Sequence, residues 1–419
     1  MNRIYKVNDN KFKGISISYN LTMPIIKNEV AANATLASLL SKGSKKYKSQ
    51  TEIDTFLARL YGAKFETNVE KIGDLYNIEF SVEFANKKFL PENVDLLDDI
   101  LCFLKSIIYE PDIKNNEFNC SRLDQEKKYI LDKINEKKDD KLVYGIIRSE
   151  ELLCKDEPFG VYVYGNEEDI AKITSKNLYE LYKNIIKNSL ISITIVGNLD
   201  GYENIEDKVY KIFKEYLNEN INETMFNINI PIKKQDKIID IKENSNIMQS
   251  VLTLGLKIDD FQKSDEFGFL IYNAILGSTP SSKLFQNVRE KNSFCYAIRS
   301  RYYRYKSMII IYAGIENKNY EKAKQSIIEE IQNMKTGNIS EDEFNASKQS
   351  IISDILQWSD NMDAIAKFKL TNILNYGMPD ISIDDIITQI RKVTKEQIIQ
   401  LAKKVNINLI YLLGGEVNA

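Results

Sequence analysis

The side chain that most often does acid–base and metal chemistry near neutral pH is missing from this chain, which has no histidine in 419 residues. Imidazole is the commonest metal ligand and the usual general base. Without it there is no Ser-His-Asp or Cys-His nucleophile system and no histidine-dependent zinc site, so any catalysis must be unusual or shared. Two explanations stand side by side: compositional drift in a chain rich in Lys, Asn and Ile, or the real loss of a metal site. Cys102, Cys120, Cys154 and Cys295 lie far apart with no C-x-x-C. They suggest neither a zinc knuckle nor a disulfide framework and read as reduced thiols. The acidic pairs Asp98-Asp99 and Asp259-Asp260 are too isolated for a metal site and suit helix ends or solubility.

The most specific stretch runs from Ser281 to Tyr296, S-S-K-L-F-Q-N-V-R-E-K-N-S-F-C-Y. Ser281 or Ser282 can cap a helix whose apolar face is Leu284, Phe285 and Val288. Asn292-Ser293 breaks that helix, and a strand alternating Phe294, Tyr296 and Ile298 leaves it. Arg289 then sits near the helix end and Tyr296 on the departing strand. Spacing alone reads this as a solvated Arg-Glu-Lys run beside a half-buried tyrosine. Just downstream, Tyr302, Tyr303 and Tyr305 interleave with Arg299, Arg301, Arg304 and Lys306. This is a binding surface on one reading and a β-hairpin turn with one wet face on the other. The charged run Lys133 to Lys141 reads as a solvated helix end.

The elements that must position these residues come in two similar sets. With 43% apolar and 28% charged residues, the chain is ordinary globular material, long enough for two or more cores. A net charge of −3, with both signs interspersed, argues against a nucleic-acid partner. No apolar leader and no membrane-spanning run are present, so a cytoplasmic protein without a membrane partner is expected. Ile173-Thr174-Ser175-Lys176-Asn177-Leu178 opens a helix ending near Lys187, followed by a strand Ile191 to Val196 and Gly197-Asn198. Val393-Thr394-Lys395-Glu396-Gln397-Ile398 repeats this, with a helix to Lys404, a strand Leu409 to Leu413 and Gly414-Gly415. In both copies the threonine is a good N-cap.

The openings also correspond. Strand Gly14 to Leu21, helices Asn28 to Leu40 and Gln50 to Tyr61, and strands Lys64 to Lys71 and Leu75 to Phe84 form the first set. Strand Met248 to Leu256, helices Asp265 to Leu276 and Ser281 to Lys291, and strands Ser293 to Tyr302 and Ser307 to Gly314 form the second. Further helices follow in each, which predicts a mixed sheet packed with helices. The expected organisation is a half-domain over 1–217, a polar linker over 218–237 that contains Pro231, and a second half-domain over 238–419.

The run Ser282-Lys283-Leu284-Phe285, then Arg289-Glu290-Lys291, then Tyr296 resembles the C-terminal-domain signature of the insulinase/pitrilysin family of inverzincin peptidases, which includes mitochondrial processing peptidase. Gly277-Ser278-Thr279 stands for the family's glycine-rich loop, and Lys283 replaces the usual Arg of S-R-L-F. The resemblance implies an α+β chain of two homologous half-domains of mixed β-sheet packed with helices, in the LuxS/processing-peptidase-like metallopeptidase fold. The family's metal motif, H-x-x-E-H, precedes a run like L-F-K-G-T. Here Leu39-Leu40-Ser41-Lys42-Gly43-Ser44 matches that run, which places the motif on Ala34 to Ser38.

By that alignment Ala34 and Ser38 replace the two ligand histidines, and Ala37 replaces the base. Lys133, within Tyr129 to Ile134, takes the place of the third, glutamate ligand. Such a set makes no zinc site. Drift would have removed only the histidines. The resemblance further implies that Arg289 and Tyr296 reach the substrate, and that the strand with Phe65, Thr67 and Val69 corresponds to a substrate-binding edge. In two-subunit members one chain keeps zinc while the other keeps the Arg/Tyr pair. This chain looks like the second kind: no cofactor of its own, a homologous zinc-bearing partner with H-x-x-E-H, and a peptide as substrate. A homodimer in isolation is compatible with the related halves. The alternative is a structural or peptide-binding scaffold without proteolytic role, which has no need of Arg289 and Tyr296.

Overall fold

The computed structural model describes residues 3–92, 94–217, 226–233, 237–245, 247, 249–376 and 381–414. Two five-stranded mixed sheets organise it. The first contains β1 (Ile4–Asn8), β2 (Gly14–Pro24), β3 (Lys64–Ile72), β4 (Leu75–Ala85) and β7 (Leu190–Gly197), in the order β1-β7-β2-β4-β3. A minimal hairpin of β5 (Ile113–Lys114) and β6 (Glu117–Phe118) stands apart. The second sheet contains β8 (Ile239–Asn244), β9 (Ser250–Ile258), β10 (Cys295–Tyr303), β11 (Met308–Ile315) and β12 (Val405–Gly414), in the order β10-β11-β9-β12-β8. Replacing β1, β7, β2, β4 and β3 by β8, β12, β9, β11 and β10 turns one order into the other, including the single parallel pair in each sheet. The expected duplication is present strand for strand. The reading missed β1 and β8, short parallel edge strands with few apolar residues.

Local chemistry explains the repeated helix starts. Thr174 accepts from the Asn177 amide while the Asn177 side chain returns to the Thr174 amide; Thr394 and Gln397 make the same reciprocal pair. Each box satisfies two backbone donors that the first helical turn leaves open. Thr174→Ala and Thr394→Ala should each destabilise the protein by about 1 kcal/mol, additively in the double variant because the two caps share no partner. Urea titrations of the three variants check this.

The two compact units do not follow the chain in sequence. One draws on Met1–Asn135, Val161–Ile228 and Ser359–Pro379; the other on Glu136–Gly160, Asn229–Trp358 and Asp380–Ala419. Each unit thus takes a segment from the far half. Of the expected linker, 218–225 and 234–236 lie outside the described residues. Where it is described it is anchored: the Ile230 and Ile232 amides donate to the Tyr305 and Lys306 carbonyls, and the Lys233 amide donates to Glu157 at 2.8 Å.

In the first unit Ile15, Ile17, Tyr19 and Leu21 of β2 enter an apolar core with Phe80, Phe103 and the helix Val30–Ser41. The opposite face of β2 is Ser16, Ser18, Asn20 and Thr22, all buried. Thr22 donates to Asn77, Asn77 to Asn20 and Asn20 to Ser18, each at 2.9 Å. The helix Met362–Tyr376 packs on β2 and β7, with Ser16 donating to Asp363 at 3.2 Å. The second unit builds the equivalent layer mainly from apolar groups: the helix Lys141–Leu153 contributes Leu153 against Val251, Ile310, Leu409 and Tyr411, beside a buried Ser149–Thr253 hydrogen bond. Burying one such side chain stabilises by about 1.5–3 kcal/mol. A buried polar hydrogen bond contributes about 1 kcal/mol net.

Within the polar layer Ser18 donates to Glu79 at 2.5 Å. Burial raises the Glu79 carboxyl above its ordinary value; Ser18 and Lys367 oppose this, while Glu70 and Asp363 add to it. A carboxyl raised on folding binds more protons in the native than in the unfolded chain. Its contribution is therefore full below the unfolded value and is lost as pH rises through the folded one. Glu79→Gln should flatten the fall of thermal stability from acid to neutral pH and stabilise the protein at neutral pH. An unchanged slope would contradict this account.

Candidate functional site

The helix Val30–Ser41, rich in Ala and Leu, is buried on nearly every side. It therefore lies inside the first unit rather than on its surface. Ala34, Ala37 and Ser38 project from it into a cavity of about 240 Å³, which Phe65, Thr67 and Val69 of β3 and Tyr129 and Ile130 of the helix Cys120–Glu136 also line. The structure thus brings together the three positions aligned with the metal motif and the three aligned with the substrate edge. β3 is the outermost strand of its sheet, with an unpaired backbone edge among the described residues.

The chemistry of this donor set does not fit zinc. Ala34 and Ala37 carry no ligand atom, and the Ser38 hydroxyl is neutral and donates to Glu126 at 2.5 Å. Zinc takes four donors drawn from thiolate, imidazole, carboxylate or water. Among the described residues no group of three His, Cys, Asp or Glu side chains could hold a metal. Lys133 is not among the cavity-lining residues; its Nζ lies 5.6 Å from the centre of the Tyr129 ring. Glu126 is the residue that sequence reasoning missed. It is buried, and it precedes Lys133 by seven residues on the same helix, two turns away on one face. That spacing was the available signal.

In the second unit the expected serine cap of the helix before Arg289 is not made: the Ser282 hydroxyl is buried without a hydrogen-bond partner. The segment Leu284–Lys291 winds as a π-helix. Lys283 anchors it, buried with Nζ 2.7 Å from Glu343. Against the cost of burial, hydrogen bonds from Lys283 and Ser340 hold the Glu343 carboxyl below its ordinary value. Arg289, 40% exposed, lies with its guanidinium 4.6 Å from the Phe285 ring centre and Nε 3.6 Å from Glu290. Burial pushes the Cys295 thiol up to about 11, with Arg289 pulling the other way.

Tyr296 occupies a β-bulge. Pairing passes from Cys295 opposite Ile315 to Ala297 opposite Gly314, which leaves Tyr296 as the extra residue. A bulge of this kind re-aims a side chain. The ring lies against Gly314, where a Cβ would overlap it. At 43% exposure it faces an open groove with Asp140, Leu142, Ile247 and Gln249. Burial and the nearby Asp140 both raise its hydroxyl above the ordinary tyrosine value, so it stays a proton donor. No hydrogen bond joins Arg289 to Tyr296 among the described residues.

Much of the tyrosine and arginine cluster downstream is structural. Tyr302 packs on Phe269, Tyr303 donates to Glu150 at 2.7 Å, and Arg304 pairs with Glu266 at 2.6 Å. Asp98 pairs with Lys208 and Asp259 with Lys257.

Solved structures share this architecture. A conserved protein of Enterococcus faecalis V583 matches with a TM-score of 0.89 at 23% identity, over 99% of this chain and 97% of that one. The peptidase M16 inactive domain from Pseudomonas fluorescens matches with 0.77 at 17%, over 99% and 96%. Residues 172–351 match the family model described as Peptidase M16 inactive domain. The chain is 29% identical over 414 residues to the probable inactive metalloprotease YmfF of Bacillus subtilis (strain 168), covering 99% of this chain and 96% of that protein. It is 23% identical over 342 residues to the uncharacterized zinc protease YmxG of the same organism, covering 80% and 79%. The chain is thus similar, over nearly its whole length, to proteins of the M16 peptidase family, among them ones described as inactive. No helix among the described residues is long and apolar enough to cross a membrane.

Proposed function

We propose that this chain is the non-catalytic, activity-completing subunit of a two-subunit zinc peptidase. A homologous cytoplasmic partner with intact H-x-x-E-H holds the metal and supplies the activated water. This chain supplies Tyr296, whose hydroxyl donates to the oxyanion that develops on the scissile carbonyl, and Arg289, which holds a neighbouring backbone carbonyl of the peptide. The observation that carries the reading is a contrast. The metal-motif positions Ala34, Ala37 and Ser38 share one cavity and offer no ligand set, whereas Tyr296 is held out by a bulge above a glycine. A pure scaffold has no need of the Arg289/Tyr296 pair. The cavity beside Phe65, Thr67 and Val69 offers a peptide the open β3 edge.

The test is co-expression with a homologous subunit that retains H-x-x-E-H. Zinc content and peptide cleavage are then measured for each chain alone and for the pair. Zinc and weak activity in the partner, none in this chain, and strong cleavage by the pair are expected. Cleavage by this chain alone, or a pair no more active than the partner, would overturn the proposal.

A further inference from the structure

Arg304 and Lys306 are tied to Glu266 and Glu157, but the other two arginines of the cluster are placed differently. Arg299 and Arg301 are exposed, and neither has an ion-pair partner among the described residues. Arg301 lies 5.0 Å from the centre of the Tyr303 ring, a contact that leaves its charge unpaired. Across the ladder Arg299 stands opposite Tyr312 and Arg301 opposite Ile310. Ile310 belongs to the apolar layer under the helix Lys141–Leu153. By strand alternation Gly314, which carries the Tyr296 ring, faces the same way. Tyr296, Arg299 and Arg301 therefore share one face. β10 is also the last strand of its sheet, and its second backbone edge is unpaired along its length among the described residues. Such an edge is a ready template for an added strand.

We propose that an extended peptide pairs with the β10 edge and that Arg299 and Arg301 select acidic side chains two residues apart in it. Acidic peptides are then the preferred substrates of the site that Tyr296 completes. The inference rests on the reading of Tyr296 as a substrate-facing group. Cross-strand neighbours on one face interact directly, and alternate residues of an added strand match the spacing of the two arginines. At about 3.3 Å per residue the first acidic position lies about 10 Å along the strand from Tyr296. At the Tyr296 end the groove is lined by Asp139 and Asp140, and Glu150 is occupied by the Tyr303 hydroxyl. Acidic side chains are thus repelled beside Tyr296 and attracted three to five residues away. The chain as a whole carries a net charge of −3, so attraction of an acidic peptide must be local. A nucleic acid offers the arginines phosphates but no backbone to join the ladder.

Fluorescence anisotropy on the full chain tests this without the partner, so that it can fail independently of the proposed catalytic role. The probes are labelled extended decapeptides with Glu-Val-Glu, Gln-Val-Gln or Lys-Val-Lys at the centre. Two partly screened ion pairs should make the Glu peptide bind about tenfold tighter than the Gln peptide. Arg299→Glu/Arg301→Glu, changed only at exposed positions, should reverse the order and favour the Lys peptide. Three results would overturn the proposal: equal binding of all three peptides, a Glu preference that survives the double reversal, or displacement of the Glu peptide by an oligo-dT strand as effective as unlabelled peptide. In the first case the arginines only protect a free edge.

Discussion

If the proposed two-subunit peptidase assembles, Tyr296→Phe is expected to lower its kcat by about 10²–10³ while KM and subunit association stay close to the original values. Removing one donor aimed at a developing oxyanion costs about that much, and the ring remains to fill its place against Gly314. Because burial and Asp140 hold the hydroxyl above its ordinary value, it stays protonated through neutral pH. The residual activity of the variant should therefore keep the original pH profile. Arg289→Ala differs in kind. A guanidinium that holds a carbonyl already present in the bound substrate contributes to ground-state binding too, so its loss should raise KM as well as lower kcat. Steady-state kinetics with size-exclusion chromatography separates these outcomes. Full turnover in Tyr296→Phe, or a complex that falls apart, would remove the assignment.

Lys306→Met should cost about 3–5 kcal/mol of stability, the usual consequence of leaving a buried charge without its partner. Lys306 and Glu157 are 1% and 5% exposed with Nζ and Oε2 2.8 Å apart. Glu157 also accepts from the Lys233 amide, so the orphaned carboxylate would sit under the anchored end of the former linker. Adding Glu157→Gln should recover most of the loss, since the amide keeps an acceptor for Lys233 and carries no charge. Urea unfolding of the single and double variants measures the coupling. A single variant within about 1 kcal/mol of the original would show that solvent reaches the pair.

What could be read in the sequence was whatever depends on near neighbours. The boxes at Thr174 and Thr394 are written in four consecutive residues each, and the structure makes both. The helix carrying Ala34, Ala37 and Ser38 was legible in its residues, the resemblance singled those three out, and they line one cavity. What depends on distant partners was not legible. β1 and β8 exist because β7 and β12 offer them parallel edges; their own residues, IYKVN and IDIKEN, alternate too weakly to announce a strand. Glu126 became visible only when its helix met Ser38. The stretch before Arg289 has an apolar spacing that suits an α-helix but winds as a π-helix, and Lys283 beside it is held by Glu343, 60 residues away. The bulge at Tyr296 is set by β11, not by β10 alone.

The segments that each unit takes from the far half bear on how such a chain could arise and be dismantled. A gene cut at the natural midpoint would yield a front piece that carries the apolar side of Lys141–Leu153 without β9, β11 and β12 beneath it, and that lacks the helix covering its own sheet. The back piece would have the reverse defects. Neither piece would carry all the segments of either compact unit, so each sheet gets its full covering only from the uncut chain.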